Sequence, residues 1–183
     1  ALRRFARDLD TDFGSRSRAL LALILGLVWT GLALRSALSN PDPFVTIGFD
    51  EYFAGMLKSC IIPMVLVLIF SRFFFKNQAG RQILMVFVGG LFAMGIIRTL
   101  SHVMMIQSLP STVIEWVTYG LSLVGIGAIA ERRIALLGST YFLAAIVATI
   151  DPYHFMYYLV IAHAIVFIRL AWMWGVFEKP EKA

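Results

Sequence analysis

Charged and imidazole side chains that interrupt apolar stretches are the residues of this sequence whose types suggest chemistry. The stretch RTLSHVMMIQSLPSTVIEW places Arg98, His102 and Glu115 between two runs that are apolar enough to enter a membrane. A charge at bilayer depth costs at least ~2.5 kcal/mol, so such residues usually face the bundle interior and have a partner. Arg98 and Glu115 flank one hairpin, and a bidentate Arg–carboxylate contact would satisfy both. The sequence therefore predicts an ion pair between them.

Further ionisable residues lie in, or at the ends of, the same half of the apolar stretches. The distribution of Lys and Arg, described below, places this half on the outer side of the membrane. Those with a charge are Lys58, Arg35, Asp50, Glu51 and Asp151. Two interpretations stay open for this group. It forms a polar pocket open to the outer surface, or Arg35 and Lys58 only extend to the outer headgroups and the Arg98–Glu115 pair holds one hairpin together.

Two histidines are candidate cofactor ligands. His102 and His163 could be the axial ligands of a haem between the third and sixth apolar stretches, if their imidazoles faced each other across the bundle. A quinone could instead stack among the outer aromatic residues. No His-x-x-x-His, Cys-x-x-Cys or Glu-x-x-His spacing occurs, so no zinc site is predicted. No catalytic motif is present either, and no catalytic residue is assigned.

The elements that must position these residues are membrane helices. The chain has 183 residues, of which 60% are hydrophobic and 15% are charged, against about 25% charged in soluble domains. Its mean hydropathy is +0.81. Six apolar stretches are long enough to cross a bilayer, which takes roughly 20 residues. They cover residues 18–38, 52–75, 82–106, 112–130, 134–150 and 153–177. The fold class is an all-α, polytopic membrane helix bundle.

The distribution of basic residues predicts the orientation of this bundle. Thirteen of the 16 Lys and Arg residues lie in or flank the two termini and the even-numbered connections. The odd connections, SNPDPFVTIGFDE, QSLPST and DPYH, contain none. Since cytoplasmic loops carry the excess of Lys and Arg, we expect six spans with both termini cytoplasmic. The same distribution explains the basic pI of about 9.7 without nucleic acid as a partner.

The ends of the chain complete the predicted organisation. Residues 1–17 place Leu2, Phe5, Leu9 and Phe13 at spacings of three and four with charges between them. This pattern indicates an amphipathic helix on the cytoplasmic face, with a solvated tail as the alternative. We therefore expect a cytoplasmic segment over 1–17, a transmembrane domain over 18–177 and a cytoplasmic tail over 178–183.

Two motifs carry a family resemblance. They are VGGLFAMGIIRTLS at 88–101 and SLPSTVIEW at 108–116. Over about 20–130 the chain resembles a family of small bacterial four-helix membrane proteins of unknown function, itself similar to the DoxX-like proteins. Arg98, Pro110 and Glu115 match that family's pattern. At FDEYFAG, residues 49–55, this chain has acids and one glycine where the family tends to show an arginine and paired glycines. The resemblance implies an architecture and no activity.

Two functions fit these observations. The first is a non-catalytic accessory or assembly subunit of a larger bacterial inner-membrane complex, with the lipid bilayer and other membrane subunits as partners. The alternative is a binding protein or enzyme that takes a lipophilic molecule (a quinone, a lipid or a haem) into a polar pocket of the outer leaflet.

Overall fold

The computed structural model describes residues 15–39, 41–46, 48–74 and 78–173, and these ranges are built from helices joined by short connections. Their bounds are α1 Ser15–Leu38, α2 Phe49–Met56, a π-helical turn Leu57–Ile61, α3 Ile62–Phe74, α4 Gln78–Val103, α5 Ser108–Ile129, α6 Arg132–Ile150, a 3₁₀ turn Pro152–His154 and α7 Phe155–Met173.

The helices identify a multi-pass membrane protein, as the composition predicts. Within the described ranges, four helical stretches are long and apolar enough to cross a bilayer: Arg81–Val103, Ser108–Ile129, Arg132–Ile150 and Pro152–Met173, with mean hydropathies of 2.1, 1.5, 1.7 and 1.7. Ala22–Leu38 of α1 is a shorter apolar helix. The predicted second span, by contrast, is divided into α2 and α3 by the π-helical turn.

One predicted connection needs correction, and both ends of the predicted organisation lie beyond the described chain. Helix α1 is described from Ser15 and contains the predicted start of the first span at residue 18. Helix α5 begins at Ser108, so the SLPS sequence that was expected to separate two spans forms a first turn, where proline is tolerated because the N–H it lacks would have no helical partner. Residues 1–14 and 178–183, with most of the predicted amphipathic segment and the whole tail, lie outside the described residues.

The helices pack side by side in a fixed order. Helix α1 packs against α7, α7 against α6, α6 against α5, and α5 against α4, while α2, the π-helical turn and α3 pack against α4. Most buried core residues lie on α5, α6 and α7, with α1 contributing alanines and Trp29. Helix α5 is therefore the central element, since it joins the core to the side of the bundle that carries Arg98.

Glycines bring α5 and α6 unusually close. A Cβ on Gly127 would collide with the backbone of Ala135, and a Cβ on Gly138 would lie 2.6 Å from the carbonyl oxygen of Gly120. Small residues allow this approach, which replaces the hydrophobic driving force that is missing between helices in lipid. The α5–α6 hairpin is therefore held together by backbone-to-backbone packing.

Three connections meet at one end of the bundle. The backbone N–H of Ser108 donates to the carbonyl of Val45 at 2.9 Å, and the N–H of Leu109 donates to that of Pro43 at 3.1 Å. The rings of Phe44 and Tyr153 lie 5.9 Å apart, edge to face. The connections before α2, before α5 and before α7 thus lie together, and the first of them supplies partners for N–H groups that a helix start leaves unbonded.

The π-helical turn has a local cause. The N–H of Ile62 bonds to the carbonyl of Leu57, five residues back. Pro63 follows directly and is fully buried. Because proline has no N–H, the carbonyl four residues before it loses its helical donor and the helix widens there. This turn separates α2, which covers Arg98, from α3.

Substituting Gly127 tests the close α5–α6 contact. We expect Gly127→Ala to destabilise the bundle by about 1–3 kcal/mol, the usual cost of overpacking, because the atoms it meets are backbone and cannot rotate away. Gly31→Ala on α1 is the matched control, since a Cβ there meets nothing within 4 Å. Thermal unfolding in one detergent measures both. Equal unfolding temperatures for the two variants would contradict the packing described here.

Candidate functional site

The centre of the candidate site is an ion pair between α4 and α5. Arg98 Nη2 donates to Glu115 Oε2 at 2.7 Å. The Arg98 side chain is 16% exposed and the Glu115 side chain 4%. Arg98 lies near the end of α4 and Glu115 in the second turn of α5, so the two helices of the hairpin bring them level. These are the two residues that the sequence pairs.

A glycine of α2 makes room for the guanidinium. A Cβ on Gly55 would lie 2.6 Å from Arg98 Cζ and 3.2 Å from its Nε, so an alanine there would displace the guanidinium from its position. Below this contact, Met56 and Cys60 lie next to Gly95 of α4, and Cys60 Sγ donates to the carbonyl of Leu91 at 3.5 Å. The ion pair therefore lies at a junction of three elements: α2, α4 and α5.

The ion pair leaves hydrogen-bonding groups unused. The predicted bidentate contact is a single hydrogen bond, and Arg98 Nε and Glu115 Oε1 are buried without a hydrogen-bond partner in the described structure. So is Ser111 Oγ, one helical turn before Glu115 on the same face of α5. A buried polar group without a partner costs about 1–3 kcal/mol, so such groups call for an explanation.

An aromatic cluster lies next to the ion pair, at the end of the bundle where the three connections meet. His102 stacks on Tyr52 with ring centroids 4.8 Å apart, and Phe49 lies 6.1 Å from the same imidazole. The hydroxyls of Tyr52 and Thr99 are 3.3 Å apart. These contacts join the first turn of α2 to the last turns of α4, over the side of the site on which Arg98 is partly exposed.

The second predicted cofactor ligand lies in a different cluster. His163 is buried on α7, and its Nδ1 lies 2.6 Å from the hydroxyl of Tyr141. Trp29 and Tyr119 surround the imidazole, with ring centroids 6.4 and 5.7 Å away. The structure therefore places His102 and His163 in separate aromatic surroundings and does not bring them together as facing haem ligands. Among the described residues, no group of three His, Cys, Asp or Glu side chains could hold a metal ion.

Three other charged candidates are exposed at helix ends. Arg35 is exposed in the last turn of α1. Asp50 and Glu51 are exposed in the first turn of α2, and negatively charged side chains are stabilising near a helix N-terminus. Lys58 belongs to the π-helical turn, and its side chain lies outside the described part of the structure. Arg98 and Glu115 are thus the two predicted charged residues that the described structure joins.

Asp151 forms its own cluster at the start of the 3₁₀ turn. The hydroxyl of Tyr158 donates to Asp151 Oδ2 at 2.6 Å, and His154 Nδ1 lies 3.0 Å from the same oxygen. These two hydrogen bonds hold the pKa of Asp151 below its ordinary value of 3.8. The cluster fixes the link between α6 and α7 and makes no contact with Arg98 or Glu115 among the described interactions.

Sequence reasoning missed two residues of the site and one contact of the second cluster. Gly55 appeared only as a departure from a family pattern and Ser111 as part of a turn, and Tyr141, the partner of His163, was not singled out. The signal for Ser111 was available, because residues 111, 115 and 119 share one helical face. No comparable signal marks Gly55, since its role depends on the path of the Arg98 side chain.

Comparison with known proteins adds no relative. No family model matches this chain, and neither a curated protein nor a solved structure matches it. The resemblance to the DoxX-related family stays a prediction. What the fold and the site define is a class: a multi-pass helical membrane protein with a buried, incompletely bonded ion pair.

Removing one partner of the ion pair should lower the free energy of unfolding more than removing both partners does. Glu115→Leu leaves a mostly buried guanidinium without its counter-charge, and we expect a loss of about 3–5 kcal/mol. Arg98→Met combined with Glu115→Leu removes both charges, so most of that loss should be recovered. Arg35→Met, at an exposed arginine, is the control and should change little. Unfolding temperatures of all three variants, measured in one detergent, test this expectation. A double variant that is no more stable than Glu115→Leu would contradict a stabilising contact between Arg98 and Glu115.

Proposed function

We propose that this chain is a membrane-embedded binding protein that takes the polar head of a lipophilic molecule at the Arg98–Glu115 ion pair. We propose further that it has six spans, lies in the bacterial cytoplasmic membrane and keeps both termini in the cytoplasm. The first statement depends on the geometry of the site. The second depends on the charge pattern and on the way the connections are grouped.

The unused hydrogen-bonding groups of the ion pair carry the binding proposal. A helix hairpin that needed only a structural pair would be best served by two parallel hydrogen bonds, which an arginine and a carboxylate readily form. Here one bond is made, and Arg98 Nε and Glu115 Oε1 are left buried without partners. Charged groups within a membrane usually mark a functional site. A ligand head between these atoms accounts for both.

The surroundings of the pair suit a lipophilic ligand. Large apolar side chains beside the site are exposed on α2 and α4, among them Phe53, Ile96 and Leu100. Ligand sites are mostly apolar, with a few polar groups that fix orientation. A ligand whose tail lies along these side chains would place its head at Arg98, whose side chain is partly exposed.

Two observations support the six-span arrangement. The three connections without Lys or Arg are the ones that gather at one end of the bundle, through the Ser108–Val45 hydrogen bond and the Phe44–Tyr153 contact. Helix α1 and the interrupted α2–α3 unit would provide the two spans beyond the four long ones. Helices interrupted in this way do cross membranes where neighbouring helices cover the break.

Site-directed labelling tests this orientation. In a Cys60→Ser background, a single cysteine at Phe44 or Tyr153 should react with a membrane-impermeant maleimide added outside intact cells. A cysteine at Glu131, in the connection with the opposite charge pattern, should react only after the cells are opened. Reaction of the Glu131 position from outside would contradict the proposed orientation.

Analysis of co-purified molecules tests the binding function. We expect protein extracted in mild detergent to carry a lipophilic molecule, detected by mass spectrometry at near-stoichiometric amount, and Glu115→Gln to reduce its occupancy several-fold. Glu51→Gln, an exposed carboxylate on α2, is the matched control and should leave the occupancy unchanged. If Glu115→Gln lowers the unfolding temperature and leaves the bound species unaltered, the pair is only structural and the proposal fails.

The accessory-subunit function remains a second proposal, favoured by one observation. Gly31 on α1 and Gly89 on α4 are exposed, and a Cβ on either would meet nothing within 4 Å. Outward-facing small residues of this kind allow another transmembrane helix to approach closely. The accessory-subunit function predicts that other membrane proteins co-purify in stoichiometric amounts and that Gly89→Leu abolishes this co-purification. A stable monomer in mild detergent would contradict it.

A further inference from the structure

The two unused atoms of the ion pair have opposite hydrogen-bonding roles. Arg98 Nε carries one N–H and can only donate, whereas a carboxylate oxygen such as Glu115 Oε1 can only accept. Nε belongs to the same guanidinium as Nη2, and Oε1 to the same carboxylate as Oε2, and Nη2 and Oε2 are the bonded atoms. The unused donor and the unused acceptor therefore belong to the two groups that form the contact, and they offer a head group placed there one donor and one acceptor.

We propose, building on the binding function above, that the head of the ligand is a neutral hydroxyl group held between Arg98 Nε and Glu115 Oε1. Its oxygen accepts from the arginine, and its proton is donated to the carboxylate. The ligand class is a lipophile with a free hydroxyl, such as a long-chain alcohol, a diacylglycerol or a quinol.

Hydrogen-bonding capacity separates the hydroxyl from other heads. A ketone, an ester or an ether accepts but cannot donate, so Glu115 Oε1 would stay unbonded. An ammonium donates but cannot accept, so Arg98 Nε would stay unbonded. A hydroxyl does both, since it has one donor and two acceptor positions. Its second acceptor position is free for a hydroxyl donor such as Ser111, whose Oγ is also buried and unbonded in the described structure.

Charge leads to the same class. Arg98 and Glu115 are in direct contact at 2.7 Å, so their charges compensate each other and the site has no net charge to offer a ligand. A phosphate head would bring its negative charge next to a carboxylate whose side chain is 4% exposed. Like charges repel strongly where water is excluded. A neutral head adds no uncompensated charge.

The two sides of the pair differ in their packing. Glu115 lies in the core and Arg98 is the more exposed of the two, so the guanidinium side is the one nearer the surface. Helix α2 covers this side and presents Gly55, which has no side chain, to the guanidinium. The π-helical turn, a break in the helical hydrogen-bond pattern, follows directly after this segment. A ligand that approaches from this side therefore meets a short helix segment without a side chain over the guanidinium.

A matched pair of probes tests the hydroxyl directly. Wild-type protein in nanodiscs is titrated with hexadecanol and with the methyl ether of hexadecanol, and binding is followed by calorimetry. The two probes share a chain and an accepting oxygen and differ in the donated proton. A hydrogen bond to a charged group contributes about 1.5–3 kcal/mol, so we expect the alcohol to bind at least about tenfold more tightly.

The variant Glu115→Gln should abolish that preference. The amide N–H of the glutamine can donate to the ether oxygen, which a carboxylate cannot do because it only accepts. The ether therefore gains a hydrogen bond, and the affinities for the alcohol and the ether should fall within about twofold of each other. Glu51→Gln is the control and should keep the wild-type preference. A merely structural Glu115 would change stability and leave the ratio of the two affinities unaffected. The wild-type comparison stands by itself if the Glu115 variant does not fold.

The outcomes distinguish this inference from the function on which it rests. Equal affinity of the wild-type protein for alcohol and ether overturns the hydroxyl and leaves the binding function in place. The same holds if a quinone co-purifies and neither probe binds. If no lipophile co-purifies and neither probe binds, the binding function fails as well.

Discussion

The burial of an arginine and a glutamate among apolar helices is the constraint on which the arrangement of this bundle depends. A buried charge loses most of its hydration, so each must be stabilised by the other or by the backbone. The hydrogen bond from Arg98 to Glu115 fixes α4 and α5 at one relative height. It also brings the guanidinium against Gly55 of the neighbouring α2, where a larger side chain would have to displace it. One polar contact therefore determines the relative placement of three elements.

The polar interior continues from this pair along α5. Tyr119 lies one turn beyond Glu115 on the same face, and its ring contacts those of Tyr141 and His163. Trp29 of α1 closes this second group from the opposite side. The first group is charged and near one end of the bundle, while the second is aromatic and hydrogen-bonded in the core. Helix α5 carries a residue of each, which explains why its inward face is so rich in polar and aromatic side chains.

The class of protein and the central contact follow from the sequence because both depend on transfer free energy. Long apolar stretches and a charge deficit predict membrane helices wherever they occur, and a charge inside such a stretch predicts a partner. Arg98 and Glu115 are paired on that reasoning, and the structure joins them. The helix that begins at Ser108 was harder to predict, since its first N–H groups are satisfied by carbonyls far away in the sequence.

The remaining details depend on how each helix is rotated about its axis, which hydropathy does not specify. His102 and His163 are both histidines in apolar surroundings, yet one faces Tyr52 and the other Tyr141. The role of Gly55 depends on the path taken by one long side chain, and the division of the second span depends on a buried proline. Such features arise from packing between elements, and a single sequence records only their components.

The two backbone hydrogen bonds from Ser108 and Leu109 to the first connection have a mechanical consequence. They anchor the chain just before α2, and the widened turn after Met56 marks the other end of this eight-residue segment. The approach to this segment and its exit are therefore held by different contacts: the approach by backbone hydrogen bonds from a neighbouring connection, and the exit by a change in the helical hydrogen-bond pattern before the buried Pro63. The position of Gly55 over the guanidinium is thus fixed from both ends of α2.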